Sequence, residues 1–389
     1  MASIWNNLGQ YDKGVAEYRE ALRLNPANGL DYANLVGSYL ALNRFTEAQA
    51  VVKEASAKSL DSALVGAPLY SLAFLQSDKA EMARQMGLVV GKPGQEDMLL
   101  AMEADTAAYF GHLGKAREFS RRAIDSAEQA EEKETAATYY ATSGLREALF
   151  GNADEARKHS ASPKGLAERD VQYATVLAFA YARDDRRAEA LTNDLSKSFP
   201  DDTIVRFNYL PTLRAKLAVS RGNAPQAIES LKAATPYELG LPSSYDRTAL
   251  YPLYVRGEAY LAGHQGREAA VEFQKILDHR GIVLNQPIGA MAHLQLGRAY
   301  AMSGDAVKAR AAYQDFLRLW KDADPDIPIL KQAEAENAAL LGDKDQALMF
   351  LERAYETQGI IWLKVNSELD SIRSGPRYAD LLRRVGLPQ

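Results

Sequence analysis

A spacing pattern of small and bulky residues recurs along the chain and limits the folds that it can adopt. A turn former is followed five residues later by a small residue, and a bulky residue follows four positions after that. In the first copy these are Gly9, Gly14 and Tyr18. The small position recurs at steps of 34 residues, and later of 32 to 42 residues, at Ala48, Met82, Ala116, Ala156, Ala188, Ala227, Ala269, Ala309 and Ala347. This period predicts a repeat protein rather than two or three globular domains.

Each copy predicts two amphipathic helices joined by a tight turn. Glycine stands where the first helix must stop and reverse in six copies, at Gly9, Gly111, Gly151, Gly222, Gly304 and Gly342. The alanine five residues later allows the second helix to pack closely against the first. One helix pair cannot bury both of its faces, whereas stacked pairs can. The chain is therefore predicted to be all-α, with about ten helix-turn-helix units stacked in one solenoid.

The segment Leu8–Pro26 resembles the second half of a tetratricopeptide repeat, with Tyr18, Ala21 and Pro26 at positions typical of that family. Gly14 departs from the family pattern, which usually has alanine there. A later copy matches more fully, through Leu296, Gly297, Tyr300, Gly304, Ala309 and Tyr313. The resemblance implies a right-handed α-solenoid that ends in a capping element and works by binding.

The units differ in regularity, which suggests four regions. We expect units one to four in residues 1–134, with the first unit truncated at its N-terminal side. Degenerate units five and six should occupy residues 135–207, and units seven to ten residues 208–355. Residues 356–389 are predicted to form a C-terminal helical cap.

Three links between the later units are long, at residues 235–249, 278–289 and 321–328. Links of about 12 residues or more are uncommon in compact folds and are often functional. Two interpretations stay open. The links adjust the pitch of the superhelix, or they close over a pocket near units seven to nine.

The composition excludes several classes of function. Lys and Arg number 46 against 51 Asp and Glu, for a formal net charge of -5, so no general attraction to nucleic acid or to anionic membranes is expected. The absence of cysteine excludes disulfides and thiol catalysis. No apolar run approaches the roughly 20 residues of a membrane span, and no signal peptide is visible, so no membrane insertion is expected. The compartment (the cytoplasm, or the outer part of a membrane kinase) and the oligomeric state stay open.

A search for catalytic and metal-binding patterns gives little. No two of the five histidines have ligand spacing on one helix. Asp322, Asp324 and Asp326 alternate as at the start of a calcium loop, but the glycine and the final glutamate of that loop are missing. Asp326 is instead predicted to cap the helix that follows it. We therefore predict no catalytic residue, no cofactor and no metal.

In tetratricopeptide proteins the first helices line the concave face, and this resemblance places a set of candidate binding residues there. They are Asp105, Tyr109, Tyr173, Tyr181, Tyr209, Lys216, Tyr251, Tyr254, Glu258 and Arg298. Tyrosine combines rigid area with a hydroxyl and is favoured at recognition surfaces. The alternative is that the tyrosines pack between helices and that Lys216, Glu258 and Arg298 pair with one another across adjacent repeats.

Residues 276–289 and 313–333 also resemble the repeat region that follows the kinase domain in some bacterial serine/threonine protein kinases, although the kinase motifs themselves are absent. This resemblance implies a scaffold or sensory region of a larger bacterial signalling protein. Such a region would bind a protein or peptide segment in its groove. The alternative is a small-molecule sensor whose pocket is closed by the long links.

Overall fold

The computed structural model describes residues 1–60, 66–161, 168–240, 248–356, 369–373 and 375–384, and these ranges contain helices and turns but no β-strand. Ten helix pairs follow one another. The first helices of the ten units are Ala2–Asn7, Gly29–Ala41, Ala67–Leu75, Asp97–Tyr109, Lys133–Leu149, Arg169–Tyr181, Leu210–Ser220, Tyr251–Ala262, Pro287–Met302 and Pro328–Leu340. The second helices are Tyr11–Leu24, Phe45–Ala57, Lys79–Val89, Leu113–Gln129, Ala153–Ser160, Asp185–Ser198, Ala224–Leu231, Gly266–Asp278, Ala306–Leu319 and Lys344–Glu356. The all-α fold is thus confirmed.

The small residue after each turn lies at the contact between the two helices of its pair. The alanines at this position, from Ala48 to Ala347, are fully buried. Glycines on the first helices allow the same close approach. A Cβ at Gly257 would lie 2.5 Å from Cζ of Phe273, and a Cβ at Gly297 would lie 2.9 Å from the Tyr313 ring. The predicted close packing of the two helices at the small residue is therefore confirmed.

The solenoid curves until its second half contacts its first half. The contacts join the three long links to the C-terminal ends of the first helices and the following turns of units one to four. At the first link, the Tyr11 hydroxyl donates a hydrogen bond of 2.5 Å to the carbonyl oxygen of Leu239. A Cβ at Gly240 would lie only 2.1 Å from the carbonyl oxygen of Asn7, so the two backbones touch.

The second link, residues 278–289, docks on units two to four. The Asn43 side chain donates to the carbonyl oxygen of Asp278 at 2.7 Å and accepts from the Gly281 N–H at 3.0 Å. Asn285 reaches the next units, because its side-chain amide donates to the carbonyl oxygen of Met102 at 2.8 Å. Residues 282 and 283 of this link are buried in the main hydrophobic core.

The third link docks on unit four. The Trp320 indole donates to the carbonyl oxygen of Tyr109 at 3.0 Å, and the Asp324 N–H donates to the carbonyl oxygen of Gly111 at 2.9 Å. The Asp324 carboxylate also accepts from the Gly114 N–H at 2.6 Å. We call the contacts of residues 239–240, 278–285 and 320–324 with units one to four the seam.

The capping role predicted for Asp326 is wrong. Helix Pro328–Leu340 begins without a side-chain cap, and the exposed Asp326 carboxylate lies 3.5 Å from Nζ of the largely buried Lys331. The N-cap position of this helix is occupied by Ile327, so Asp326 stands one residue too early to cap it, and the fixed φ of proline already suits a helix start.

Near the C-terminus, the helices Asp370–Arg373 and Pro376–Arg384 follow unit ten. Tyr378 and Leu381 are buried there and pack with Leu348 and Leu351 of that unit. The other residues of the predicted cap lie mostly outside the described ranges. Among the described helices, none is both long and apolar enough to cross a membrane.

Candidate binding cavity

The ten residues predicted for the concave face lie on the first helices, apart from Tyr209, which ends the π-helical turn Val205–Tyr209 before unit seven. Eight of the ten are buried, and Tyr109 and Tyr181 are half-buried. Their burial follows from the closed curvature of the solenoid, which brings the first helices together around its axis. Their role in binding stays a prediction, and the structure separates them into a cavity group of five and four groups elsewhere.

The cavity group consists of Tyr181, Lys216, Tyr254, Glu258 and Arg298, which line one cavity of about 70 Å³. The cavity lies among the first helices of units five to ten. Its remaining wall includes Ala148 and Leu149 of unit five and Ile329 of unit ten, and it reaches the surface beside Arg183 and Ser220. A space of this size holds a few water molecules or the end of one small polar side chain.

An ion pair between Lys216 and Glu258 forms one side of the cavity. Nζ of Lys216 lies 2.8 Å from Oε2 of Glu258, and both side chains are buried. The Tyr181 hydroxyl donates to the same carboxylate oxygen at 3.0 Å, and Nζ of Lys216 lies 3.6 Å from the centre of the Tyr181 ring. Burial lowers the pKa of Lys216, and the Glu258 carboxylate opposes that shift. Burial and the Glu258 charge both raise the pKa of Tyr181.

Arg298, on the other side of the cavity, belongs to a second ion pair. Nε and Nη2 of Arg298 donate to the two carboxylate oxygens of Glu336 at 2.9 and 2.8 Å, and the Tyr313 hydroxyl donates to the same carboxylate at 3.1 Å. Burial alone would lower the pKa of Arg298, but the Glu336 carboxylate outweighs it and the pKa is raised. The Gln295 amide donates to the Tyr254 hydroxyl at 3.0 Å, which joins this pair to the rest of the cavity.

The two pairs form a ladder of alternating charge along the inner face. Lys216, Glu258, Arg298 and Glu336 stand at the same repeat position, eleven residues before the small residue of units seven to ten. Lys216 and Glu258 pair across adjacent repeats, as the alternative interpretation expected. The sequence analysis did not identify Glu336 as the partner of Arg298. Its position eleven residues before Ala347 could have indicated this pairing.

Asp105 belongs to a separate buried ion pair in units four and five. Its carboxylate accepts from Nη2 of Arg146 at 2.6 Å, and Nη1 of Arg146 donates to Oγ of Ser120 at 2.7 Å. Both charged side chains are about as buried as those of the cavity. Because this pair lies outside the cavity lining, it is a matched control for experiments on the cavity.

The other tyrosines pack between helices. The rings of Tyr173 and Tyr209 stack with centres 3.8 Å apart, and the Tyr209 hydroxyl donates to Asp170 at 2.7 Å. Tyr251 packs beside the cavity, with its ring centre 6.5 Å from that of Tyr181. Tyr109 belongs to the seam through the Trp320 hydrogen bond to its carbonyl oxygen. The contacts of these tyrosines agree with the alternative interpretation, in which they pack between helices.

The described residues of the long links do not close the cavity. None of the link residues that the structure describes contributes to its lining, and units five and ten close it instead. Across the described ranges, no group of three or more His, Asp or Glu side chains is arranged to hold a metal ion.

The sequence comparisons give one match. The tetratricopeptide repeat model matches residues 1–28, and the search of curated proteins found no match. Ten helix pairs with a small residue at each contact, together with that match, define an α-solenoid of tetratricopeptide type.

Solved structures are similar to the chain at low identity. One is a tetratricopeptide repeat protein from Parabacteroides merdae ATCC 43184, with 13% identity, coverage of 75% of this chain and 100% of that chain, and a TM-score of 0.36. The human IFIT1 dimer with m7Gppp-AAAA has 16% identity, coverage of 98% and 87%, and a TM-score of 0.45. Yeast Tom70 has 14% identity, coverage of 98% and 90%, and a TM-score of 0.37. Similarities of this size do not indicate which partner this chain binds.

Proposed function

We propose that the chain is a non-enzymatic scaffold or sensory region of a bacterial signalling protein that binds a protein or peptide partner at the inner-face cavity. The charge ladder is the observation that carries the proposal. Buried ion pairs contribute little net stability compared with apolar residues of similar volume. Three charges of the ladder, Lys216, Glu258 and Arg298, line one small cavity, and this arrangement favours recognition over packing.

The size of the cavity restricts how a partner binds. About 70 Å³ holds the end of one side chain and not a length of peptide. We propose that a partner inserts a single polar side chain past Arg183 and Ser220. That group would accept a hydrogen bond from Lys216 and donate one to Glu258, while the rest of the partner lies on the surface around the opening.

The signalling context rests on the resemblance of residues 276–289 and 313–333 to the region that follows bacterial serine/threonine kinase domains. Both stretches contribute to the seam. The proposed partner is not a nucleic acid, because the formal net charge of -5 provides no attraction to phosphates. The fold holds the cavity groups in ion pairs and hydrogen bonds, which suits binding better than proton transfer.

The test is a peptide array probed with the purified chain, with binders measured again by calorimetry. We expect Lys216→Met to weaken binding by about tenfold or more, since one lost charge-assisted hydrogen bond is worth about 1.5–3 kcal/mol. Arg146→Met, which breaks an equally buried pair outside the cavity, should leave the affinity unchanged. An array without binders, or equal weakening by both variants, contradicts the proposal.

A small-molecule sensor is the second candidate, because the cavity is small and lined by convergent polar groups. A ligand that binds only the folded chain must raise its melting temperature. A metabolite screen should then give an increase that disappears in Lys216→Met and persists in Arg146→Met. A response to peptides but not to metabolites would favour the scaffold.

A further inference from the structure

The cavity, like the seam, depends on a contact between units that are distant in sequence. Ala148 and Leu149 of unit five form one wall of the cavity, and Ile329 of unit ten forms another. These units are far apart in sequence and meet because the solenoid closes, with the Ile329 N–H donating to the carbonyl oxygen of Phe150 at 3.2 Å. The wall of the cavity is therefore complete only while the two halves of the solenoid are in contact.

The tightest point of the seam is at Gly281 in the second link. A Cβ at this residue would lie 1.6 Å from the carbonyl oxygen of Leu40, which is backbone and cannot move aside as a side chain can. Both polar groups of the Asn43 amide are engaged by the same link. Asn43 has a φ of 56°, a left-handed conformation that glycine also adopts readily.

The contacts of the seam are additional to the packing within each helix pair, and residues 282 and 283 join them to the main hydrophobic core. In a solenoid, every repeat packs mainly on its sequence neighbours, so the helix pairs do not depend on contacts between distant units. The seam adds such distant contacts through turns and links. Separating it would leave the helix pairs and their buried alanines intact.

We propose that the seam is a conformational switch that controls the inner face. In the closed form the cavity is complete and the charge ladder is buried. In the open form the link 278–289 leaves units two to four, unit five separates from unit ten, and the first helices become accessible. The switch does not depend on the identity of a ligand, so it can be tested without one.

The absence of cysteine allows a single introduced thiol to report on the cavity wall. The reporter is Ala148→Cys, since Ala148 is 3% exposed and lines the cavity. In this background we expect Gly281→Ala to accelerate maleimide labelling by about tenfold or more, equivalent to ~1.4 kcal/mol in the opening equilibrium. Gly37→Ala is the matched control, because no atom lies within 4 Å of its added Cβ, and labelling should stay at the parental rate.

A second variant tests whether faster labelling of Gly281→Ala could result from misfolding. Asn43→Gly preserves the left-handed backbone but removes both hydrogen bonds to the link, and it should also accelerate labelling while far-UV circular dichroism stays parental. Unchanged labelling in both variants overturns the proposal. Loss of helicity in proportion to labelling in both variants also overturns it, because the seam would then be inseparable from folding.

Discussion

The ion pair between Lys216 and Glu258 leads to a quantitative prediction for Glu258→Gln. The substitution leaves Lys216, with a side chain 7% exposed, without a counter-charge. Removing one partner of a buried pair costs about 3–5 kcal/mol. An upper limit is consistent with this range, since neutralising a lysine with its usual pKa of 10.5 at pH 7 costs about 4.8 kcal/mol at 1.36 kcal/mol per pKa unit. We therefore expect the free energy of unfolding to fall by about 3–5 kcal/mol.

Replacing both partners should have a much smaller effect. Exchanging a buried ion pair for apolar residues is often neutral or stabilising by about 1–4 kcal/mol. In Lys216→Met with Glu258→Leu, the Tyr181 hydroxyl loses its acceptor, which costs about 1–3 kcal/mol. The two effects nearly cancel, so the double variant should lie within about 2 kcal/mol of the parent. Urea unfolding at pH 7, followed by circular dichroism, measures both variants.

The pH dependence provides a second check. Burial lowers the folded-state pKa of Lys216 below its usual 10.5, so between these values the unfolded chain binds more protons. Stability in this window rises with pH. Glu258→Gln removes the carboxylate that opposes the shift, so the loss caused by this substitution should shrink as pH rises from 7 towards 10. A loss below about 1 kcal/mol at pH 7, or a double variant as unstable as the single one, refutes the reasoning.

Other predictions concern protonation and packing. Burial lowers the pKa of His293 below its usual 6.5, so its contribution to stability is present above that pH and is lost as pH falls below it; His293→Gln should reduce the difference between urea midpoints at pH 7.5 and 5.5. Gly257→Ala places a Cβ 2.5 Å from Phe273 and should cost about 1–3 kcal/mol. Gly37→Ala fills open space in a helix and should stabilise by about 0.5–1 kcal/mol. Thermal unfolding measures both glycine variants, and equal effects would contradict the steric argument.

The helix pairs could be predicted from the sequence because the forces that shape them act locally. Ala309 stands five residues after Gly304 whatever the rest of the chain does, and its burial follows from the contact of two adjacent helices. The ion pairs of the charge ladder also depend only on contacts between adjacent units. Arg298 and Glu336 pair because neighbouring repeats place them side by side.

The closure of the solenoid could not be predicted in this way. Asn43 and Gly281 are 238 residues apart, and no feature of the repeat period relates them. Curvature accumulates over many small rotations between repeats, so it cannot be read from any single repeat. For the same reason the sequence placed Tyr254 and Arg298 on an open groove, whereas in the closed form both side chains are buried.

One contact of the seam supplies a helix N-cap that other units obtain from a residue next to the helix in sequence. The second helices of units three, six, seven, nine and ten are preceded at the N-cap position by Asp78, Asp184, Asn223, Asp305 and Asp343, and each side chain accepts from the N–H three residues later. Unit four has His112 at this position, with no side-chain cap. Asp324 of the third link binds the Gly114 N–H instead, so closure supplies the cap of this helix.

This arrangement predicts different consequences for two chemically equal substitutions. Asp324→Ala and Asp305→Ala should each cost about 0.5–2 kcal/mol, the usual loss on removing a helix N-cap. Only Asp324→Ala should also weaken the seam beside Trp320, which is 2% exposed. With Trp5 and Trp362 replaced by phenylalanine, Trp320 emission should therefore shift to longer wavelength in Asp324→Ala and stay parental in Asp305→Ala. An equal shift in both variants would show that local fraying, and not seam opening, exposes the indole.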